Sequence, residues 1–253
     1  RATKERGNSL KNEEDQILRK HFTDLARKAD QSHIATFTGF LSLPEQSVFY
    51  SMDFSYVPYC VFGGQEGCER AVIRFGEEWE FPICCIKMAP LMNKFADALT
   101  HRDFLGALMN LGIERSTLGD IYIEDKTGYL FCLKSMAEYI TENLTRIRHT
   151  SVQCTVCEEP PVFLQKEPEE KLIQISSART DALIAGVYHL SRTESNELFR
   201  EQKVFINGRL CENNSRALKE GDQITVRGYG KFAYEGEKGI SRKGKVNVRI
   251  LVW

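Results

Sequence analysis

Between Phe81 and Cys157, apolar runs of strand length alternate with two capped amphipathic stretches, and this order leaves few topologies open. Phe81–Met88 reads as a strand. Thr100–Leu111 reads as a helix, with Thr100 and Asp103 at capping-box spacing and Gly112 placed to stop it. Gly119–Glu124 and Gly128–Leu133 are strands joined by Asp125-Lys126-Thr127. Ser135 and Glu138 make a second capping box ahead of a helix to about Arg146, and Ser151–Cys157 closes the series. The order is β-α-β-β-α-β.

That order is the ferredoxin-like arrangement, shared with RNA-recognition motifs. It sets residues 81–158 as a domain. Residues 1–80 form a mixed α/β unit ahead of it. Its first helix runs from about Asn12 to Ala29, Pro44 opens a second, and strands near Val57–Phe62 and Arg70–Phe75 flank a turn at Gly63-Gly64-Gln65-Glu66-Gly67, with Glu66, Glu69 and Arg70 on the surface. Prolines and like charges around Pro160-Pro161 and Glu167-Pro168-Glu169-Glu170 mark residues 159–175 as a linker. Residues 176–253 form a C-terminal module. The expected class is α+β, in three small domains.

The C-terminal module is electrostatically distinct. Arg179 to Trp253 holds 14 Lys and Arg against 9 Asp and Glu, while the rest of the chain holds 20 against 26. A basic module on an acidic body suits one end gripping a polyanion. Arg179–Tyr188 reads as a helix with Leu183, Ile184 and Val187 on one face. Ser191 and Glu194 cap a second helix, which runs to about Gln202. Arg192, Asn196 and Arg200 recur every four residues, lining one stripe whose two guanidiniums suit phosphates. The alternative for that stripe is a solvated helix face. Val204-Phe205-Ile206 then meets Asn207-Gly208, a hairpin turn. Farther on, Arg227, Tyr229, Lys231, Arg242, Lys243 and Lys245 interleave cations with an aromatic, as in segments that stack bases and neutralise phosphates.

Arg179-Thr180-Asp181-Ala182-Leu183-Ile184, Ser191-Arg192, Val204-Phe205-Ile206-Asn207-Gly208 and Glu220-Gly221-Asp222-Gln223-Ile224-Thr225-Val226 resemble the αL RNA-binding domain named after the fourth small-subunit ribosomal protein. The resemblance places Arg179, Arg192, Asn196, Arg200 and Asn207 on an RNA-facing side. Ser191 and Lys203 are counted with them, and Asp181 as the group that orients the neighbouring Arg. Thr100-His101-Arg102-Asp103-Phe104-Leu105-Gly106, Phe62-Gly63-Gly64-Gln65-Glu66-Gly67 and Val226-Arg227-Gly228-Tyr229-Gly230-Lys231-Phe232 resemble the YlmH family, over nearly the whole chain. That resemblance implies a non-catalytic RNA-binding factor on the large ribosomal subunit, with ribosomal RNA and peptidyl-tRNA as partners, in the rescue of stalled translation. The alternative is an RNA-modifying enzyme, of pseudouridine synthase or methyltransferase type, that uses the αL domain to hold substrate. The family's link to cell division has no residue here to explain it.

Several motifs invite other readings. His101-Arg102-Asp103 is not a kinase loop, because Leu108 stands where the magnesium-binding Asn belongs. As a helix start, His101 and Arg102 are candidate RNA contacts. Tyr129 and Phe131, two apart on a strand, are candidate base-stacking rings, or else core. Gly208-Arg209-Leu210-Cys211 has Cys where pseudouridine synthases carry a catalytic Asp. Gly63-Gly64-x-x-Gly67 is too short for a nucleotide fingerprint. Cys154-x-x-Cys157 is a single thiol pair, not the two pairs of a structural zinc site, so no metal site and no cofactor are expected; the alternative, a zinc or redox role, rests on Cys84 or Cys85 approaching Cys154 from a neighbouring strand. The eight cysteines are scattered in apolar runs, the amino end has no signal-peptide core, and no apolar run reaches about 20 residues. These point to a cytoplasmic protein free of the membrane, and the chain is separately expected to be a monomer off the ribosome.

Overall fold

The computed structural model describes residues 2–162 and 167–253, with side chains from residue 12 onward; residues 163–166 of the expected linker lie outside the described residues. The fold is mixed α/β, and every strand pairing in it is antiparallel. It divides into two compact units, Arg1–Glu45 with Met52–Gln165, and Gln46–Ser51 with Lys166–Trp253.

The first unit opens with α1 (Ala2–Ser32), longer than its apolar stripe predicts, which buries Phe22, Ala26 and Ala29. β1 (Thr36–Phe37), α2 (Leu43–Tyr50), whose residues from Gln46 on belong to the second unit, β2 (Tyr59–Phe62) and β3 (Val72–Phe75) follow, with Pro44 in the first turn of α2. β1, β3 and β2 form a three-stranded sheet in that order. Then come β4 (Ile83–Pro90), α3 (His101–Asn110), β5 (Leu118–Glu124), β6 (Thr127–Leu133), α4 (Ala137–Asn143), β7 (Arg146–Ile147) and β8 (Thr150–Cys157). Their sheet runs β5-β6-β4-β8-β7, which places the first and last long strands side by side, as in a split βαβ unit. Asp103 accepts hydrogen bonds from the Thr100 N–H and hydroxyl at 2.8 and 2.9 Å, which fixes the start of α3. The second expected box does not form. Lys134–Met136 makes a 3-10 turn, and α4 starts after it with no side-chain cap from Ser135.

Both faces of this sheet are buried. Ile86, Met88, Leu130 and Cys132 face Phe104 and Leu108 of α3 and Ile140 of α4. Cys85, Tyr129 and Phe131 point the other way, onto Phe40 and Val72 from the N-terminal segment. Gly64 lies flat on this second face, at φ +112°, and a Cβ there would come 2.2 Å from a Phe131 ring carbon. Arg70 is not the surface residue the sequence predicts. Its guanidinium donates to the carbonyls of Leu118, Phe40 and Arg115, while the N–H groups of Glu69 and Arg70 donate to Asp120. Burial still pushes the Asp120 carboxyl up, against the pull of those bonds and of Arg70 and Arg115.

The second unit contains β9 (Glu169–Ile175), α5 (Thr180–Tyr188), α6 (Arg192–Arg200), β10 (Val204–Ile206), β11 (Arg209–Leu210), β12 (Gln223–Val226), β13 (Gly230–Ile240) and β14 (Val246–Val252). They build one sheet in the order β11-β10-β12-β13-β14-β9, so residues 169–175, expected as linker, are an edge strand paired along β14. Ile173 and Ile175 explain it: they pack toward a core of Leu183, Ile184, Leu198, Phe199, Val248 and Ile250, a burial that offsets the local charge repulsion.

Candidate nucleic-acid interface

α5 and α6 pack against each other in the second unit, and two hydrogen bonds fix their junction. The Ser195 hydroxyl, fully buried, donates to the Asp181 carbonyl at 2.7 Å. Ser191 and Glu194 close the predicted capping box, with the Ser191 N–H on the Glu194 carboxylate at 2.8 Å and the Glu194 N–H on the Ser191 hydroxyl at 3.2 Å. Ser191 is therefore engaged in starting α6.

Arg179 stands at the N-cap of α5, and its Nε and Nη2 donate to the two oxygens of Asp181 at 3.0 and 2.9 Å. Asp181 is only 3% exposed and also accepts the Ala182 N–H, so the carboxylate holds the guanidinium in one orientation while part of the Arg179 side chain stays open. Arg192 and Arg200 are exposed on α6, and Arg200 approaches one carboxylate, Glu197, at 3.8 Å. Asn196 between them accepts from the Asn214 amide at 2.9 Å, which ties the stripe to the 212–214 loop around a cavity of about 430 Å³. Sequence reasoning did not include that loop. Three consecutive residues, Asn213-Asn214-Ser215, were its signal.

Asn207 lies in the hairpin turn. It and Gly208 both have positive φ, +50° and +76°, as a type I′ turn requires. Its amide donates to Asp222 at 2.8 Å and accepts the Gln223 N–H at 2.9 Å. Asn207 is exposed, and these bonds tie the turn to the start of β12. Lys203 pairs with Glu201 at 2.6 Å, and the Arg227 N–H donates to the Lys203 carbonyl, so the two residues are adjacent.

The second predicted cluster is dispersed over the module. Tyr229 is exposed with its ring 5.4 Å from Tyr188, and Lys231 lies over the Trp253 ring at 5.0 Å. Arg242 and Lys243 are exposed at the turn between β13 and β14. Lys245, at the base of that arm, lines a cavity of about 580 Å³ together with Arg179 and Arg192. The fold thus brings a residue of the second cluster to the helix pair, which spacing in the sequence does not reveal.

In the first unit, His101 and Arg102 are exposed at the start of α3, and Arg148 reaches Asp103 at 3.5 Å. Desolvation and the Arg115 guanidinium lower the His101 pKa below the ordinary histidine value, which disfavours the charged imidazole. Tyr129 and Phe131 are 7% and 1% exposed, covered by Phe40, Val72 and the Gly64 turn. Their faces are not open to stack bases, which corrects that expectation.

The thiols pair differently from the sequence expectation. Cys154 lies opposite Met88 and donates to the Leu144 carbonyl, whereas Cys157 lies opposite Cys85 on the other face, because positions three apart on a strand point opposite ways. Cys84 meets Cys132 instead, with 3.6 Å between sulfurs. Among the described residues no group of three or more His, Cys, Asp or Glu could hold a metal ion, and no helix is long and apolar enough to cross a membrane.

A family model described as "Putative RNA-binding domain in YlmH" matches residues 76–159, the span that holds β4 to β8. The ribosome-associated protein quality control protein P2 of Bacillus subtilis (strain 168) is 28% identical over 157 residues, 62% of this chain and 61% of that protein. The central span is thus similar to the RNA-binding domain of the YlmH family. Among solved structures, the cell division protein ylmH from Streptococcus pneumoniae matches at 22% identity and a TM-score of 0.48, over 60% of this chain and 94% of that one. Within the YlmH-matched span, the buried aromatic face and the exposed start of α3 are the contrasting surfaces.

Proposed function

We propose that the protein is a non-catalytic, ribosome-associated RNA-binding factor that engages the large subunit carrying peptidyl-tRNA during the rescue of stalled translation. In this reading the chain has three parts: the N-terminal unit, a ferredoxin-like domain at 81–158, and a C-terminal αL module that holds the RNA. The observation that carries it is the α5–α6 surface. Arg192 and Arg200 are exposed two turns apart, and Arg179 is held in a fixed orientation by Asp181. A bidentate carboxylate clamp on one Arg and open guanidiniums on the next helix suit phosphates along a folded backbone. The name of the Bacillus subtilis relative and the description of the matched domain support a ribosomal RNA partner. Cys211 bears on the modifying-enzyme alternative. It is buried, its thiol donates to the Asn213 carbonyl, and burial pushes its pKa up, so the sulfur standing where a synthase has its Asp is a poor nucleophile.

Sedimentation of cell extract tests the reading. The intact chain is expected to migrate with large subunits, and an Arg192→Ala/Arg200→Ala variant of equal thermal stability to remain at the top of the gradient. Unchanged co-migration of that variant removes the α6 stripe from the mechanism.

A further inference from the structure

The cavity of about 580 Å³ beside α5 has two chemistries in one lining. Ala182, Ala185 and Leu190 form an apolar floor, the two alanines one turn apart on the same side of α5. Arg179, Arg192 and Lys245 stand around it, with the hydroxyls of Ser176 and Ser177. Asp181 is the carboxylate in the lining, and both of its oxygens are taken by Arg179. The three cations therefore outweigh it.

A phosphate alone needs cations but neither depth nor an apolar floor, and the exposed Arg200 would serve it as well. A paired base is stacked inside its helix and cannot enter. An unpaired nucleotide has both chemistries, an apolar face on the base and an anion on either side of the sugar. The volume falls within the usual range for small-ligand sites, roughly 300–1,000 Å³. Resting on the RNA-binding reading, we infer that this cavity takes one extrahelical nucleotide of the bound RNA. The base lies on the alanine side of α5, and its flanking phosphates are held by Arg179, Arg192 and Lys245. The site thereby selects RNA with a bulge or loop over a continuous duplex.

The experiment measures binding of the full chain to two fluorescently labelled RNA hairpins, identical except that one carries a single-nucleotide bulge, with adenosine monophosphate alone as a third ligand. The bulged hairpin is expected to bind roughly tenfold tighter than the paired one, the scale of one base stacked on a protein surface. Ala182→Leu and, separately, Ala185→Leu fill the floor without removing a cation. Each is expected to abolish the preference while leaving affinity for the paired hairpin and the melting temperature unchanged. Equal binding of the two hairpins by the unaltered chain overturns the cavity assignment and leaves the RNA-binding reading standing. Binding of neither hairpin overturns both. A preference that survives both leucine variants, or saturation by adenosine monophosphate at the concentrations at which the bulged hairpin saturates, also overturns the assignment.

Discussion

Gly64 sits at φ +112° with the Phe131 ring where its Cβ would be, so two separate constraints exclude any side chain there. Gly67, three residues on at φ +85°, faces open space and carries only the backbone constraint. Gly64→Ala is expected to lower the unfolding free energy by about 2–4 kcal/mol, overpacking added to backbone strain. Gly67→Ala should lose only about 1 kcal/mol. Urea unfolding at constant slope reads the difference, and equal losses would mean that the turn does not rest on the aromatic face. The glycines were legible as a turn, but nothing local to them says what they cover. The companion signal was on β6. Gly128–Leu133 runs Gly-Tyr-Leu-Phe-Cys-Leu without a polar position, the pattern of a strand buried on both sides, whereas a sheet offering one face to RNA should alternate. Read that way, Tyr129 and Phe131 belong to the core.

Elements whose signals lie within their own sequence match expectation closely, and α6 is the clearest. Its capping box fixes its first residue. Glu194 has its pKa lowered, first by the Ser191 side chain and then by the Ser191 backbone N–H. A carboxylate depressed in the folded state adds stability above its unfolded pKa and loses it as pH falls through the folded value. The α6 start should therefore weaken on acidification below the ordinary carboxylate range, and a Glu194→Gln variant should show a shallower fall of melting temperature with pH over that window. Ser191→Ala is expected to cost about 1 kcal/mol at neutral pH. An unchanged acid limb in Glu194→Gln would mean that the box does not hold in solution. Elements specified by distant partners were less legible. β9 carries Glu169, Glu170 and Lys171 beside Pro168 and reads locally as an extended linker, yet its pairing with Val246–Val252 and the burial of Ile175 make it a strand. The Ser135–Glu138 box failed for a related reason, as the chain leaving β6 makes a 3-10 turn first.

Across the whole molecule, charge is the property the sequence stated most directly, since the basic excess falls on the stretch from Arg179 onward. Its spatial grouping was not stated. Arg242 and Lys243 end at an exposed turn, whereas Lys245, two residues on, lines the cavity with Arg179 and Arg192. The two places should differ in how they respond to salt and to RNA shape. If about five phosphates are neutralised, the logarithm of affinity should fall against the logarithm of salt with a slope of roughly −3.5 to −4.5. Arg242→Ala/Lys243→Ala removes charge from a solvated turn, so it should weaken bulged and paired hairpins equally and make the slope shallower by about 0.7–0.9 for each phosphate lost. Lys245→Ala should weaken the bulged hairpin more than the paired one, because its ammonium acts where the unpaired nucleotide enters. Binding measured over a salt series for both hairpins separates the two effects. A slope that stays constant in Arg242→Ala/Lys243→Ala would mean that the arm between β13 and β14 points away from the RNA, and the polyanion would then be held by the helix pair without it.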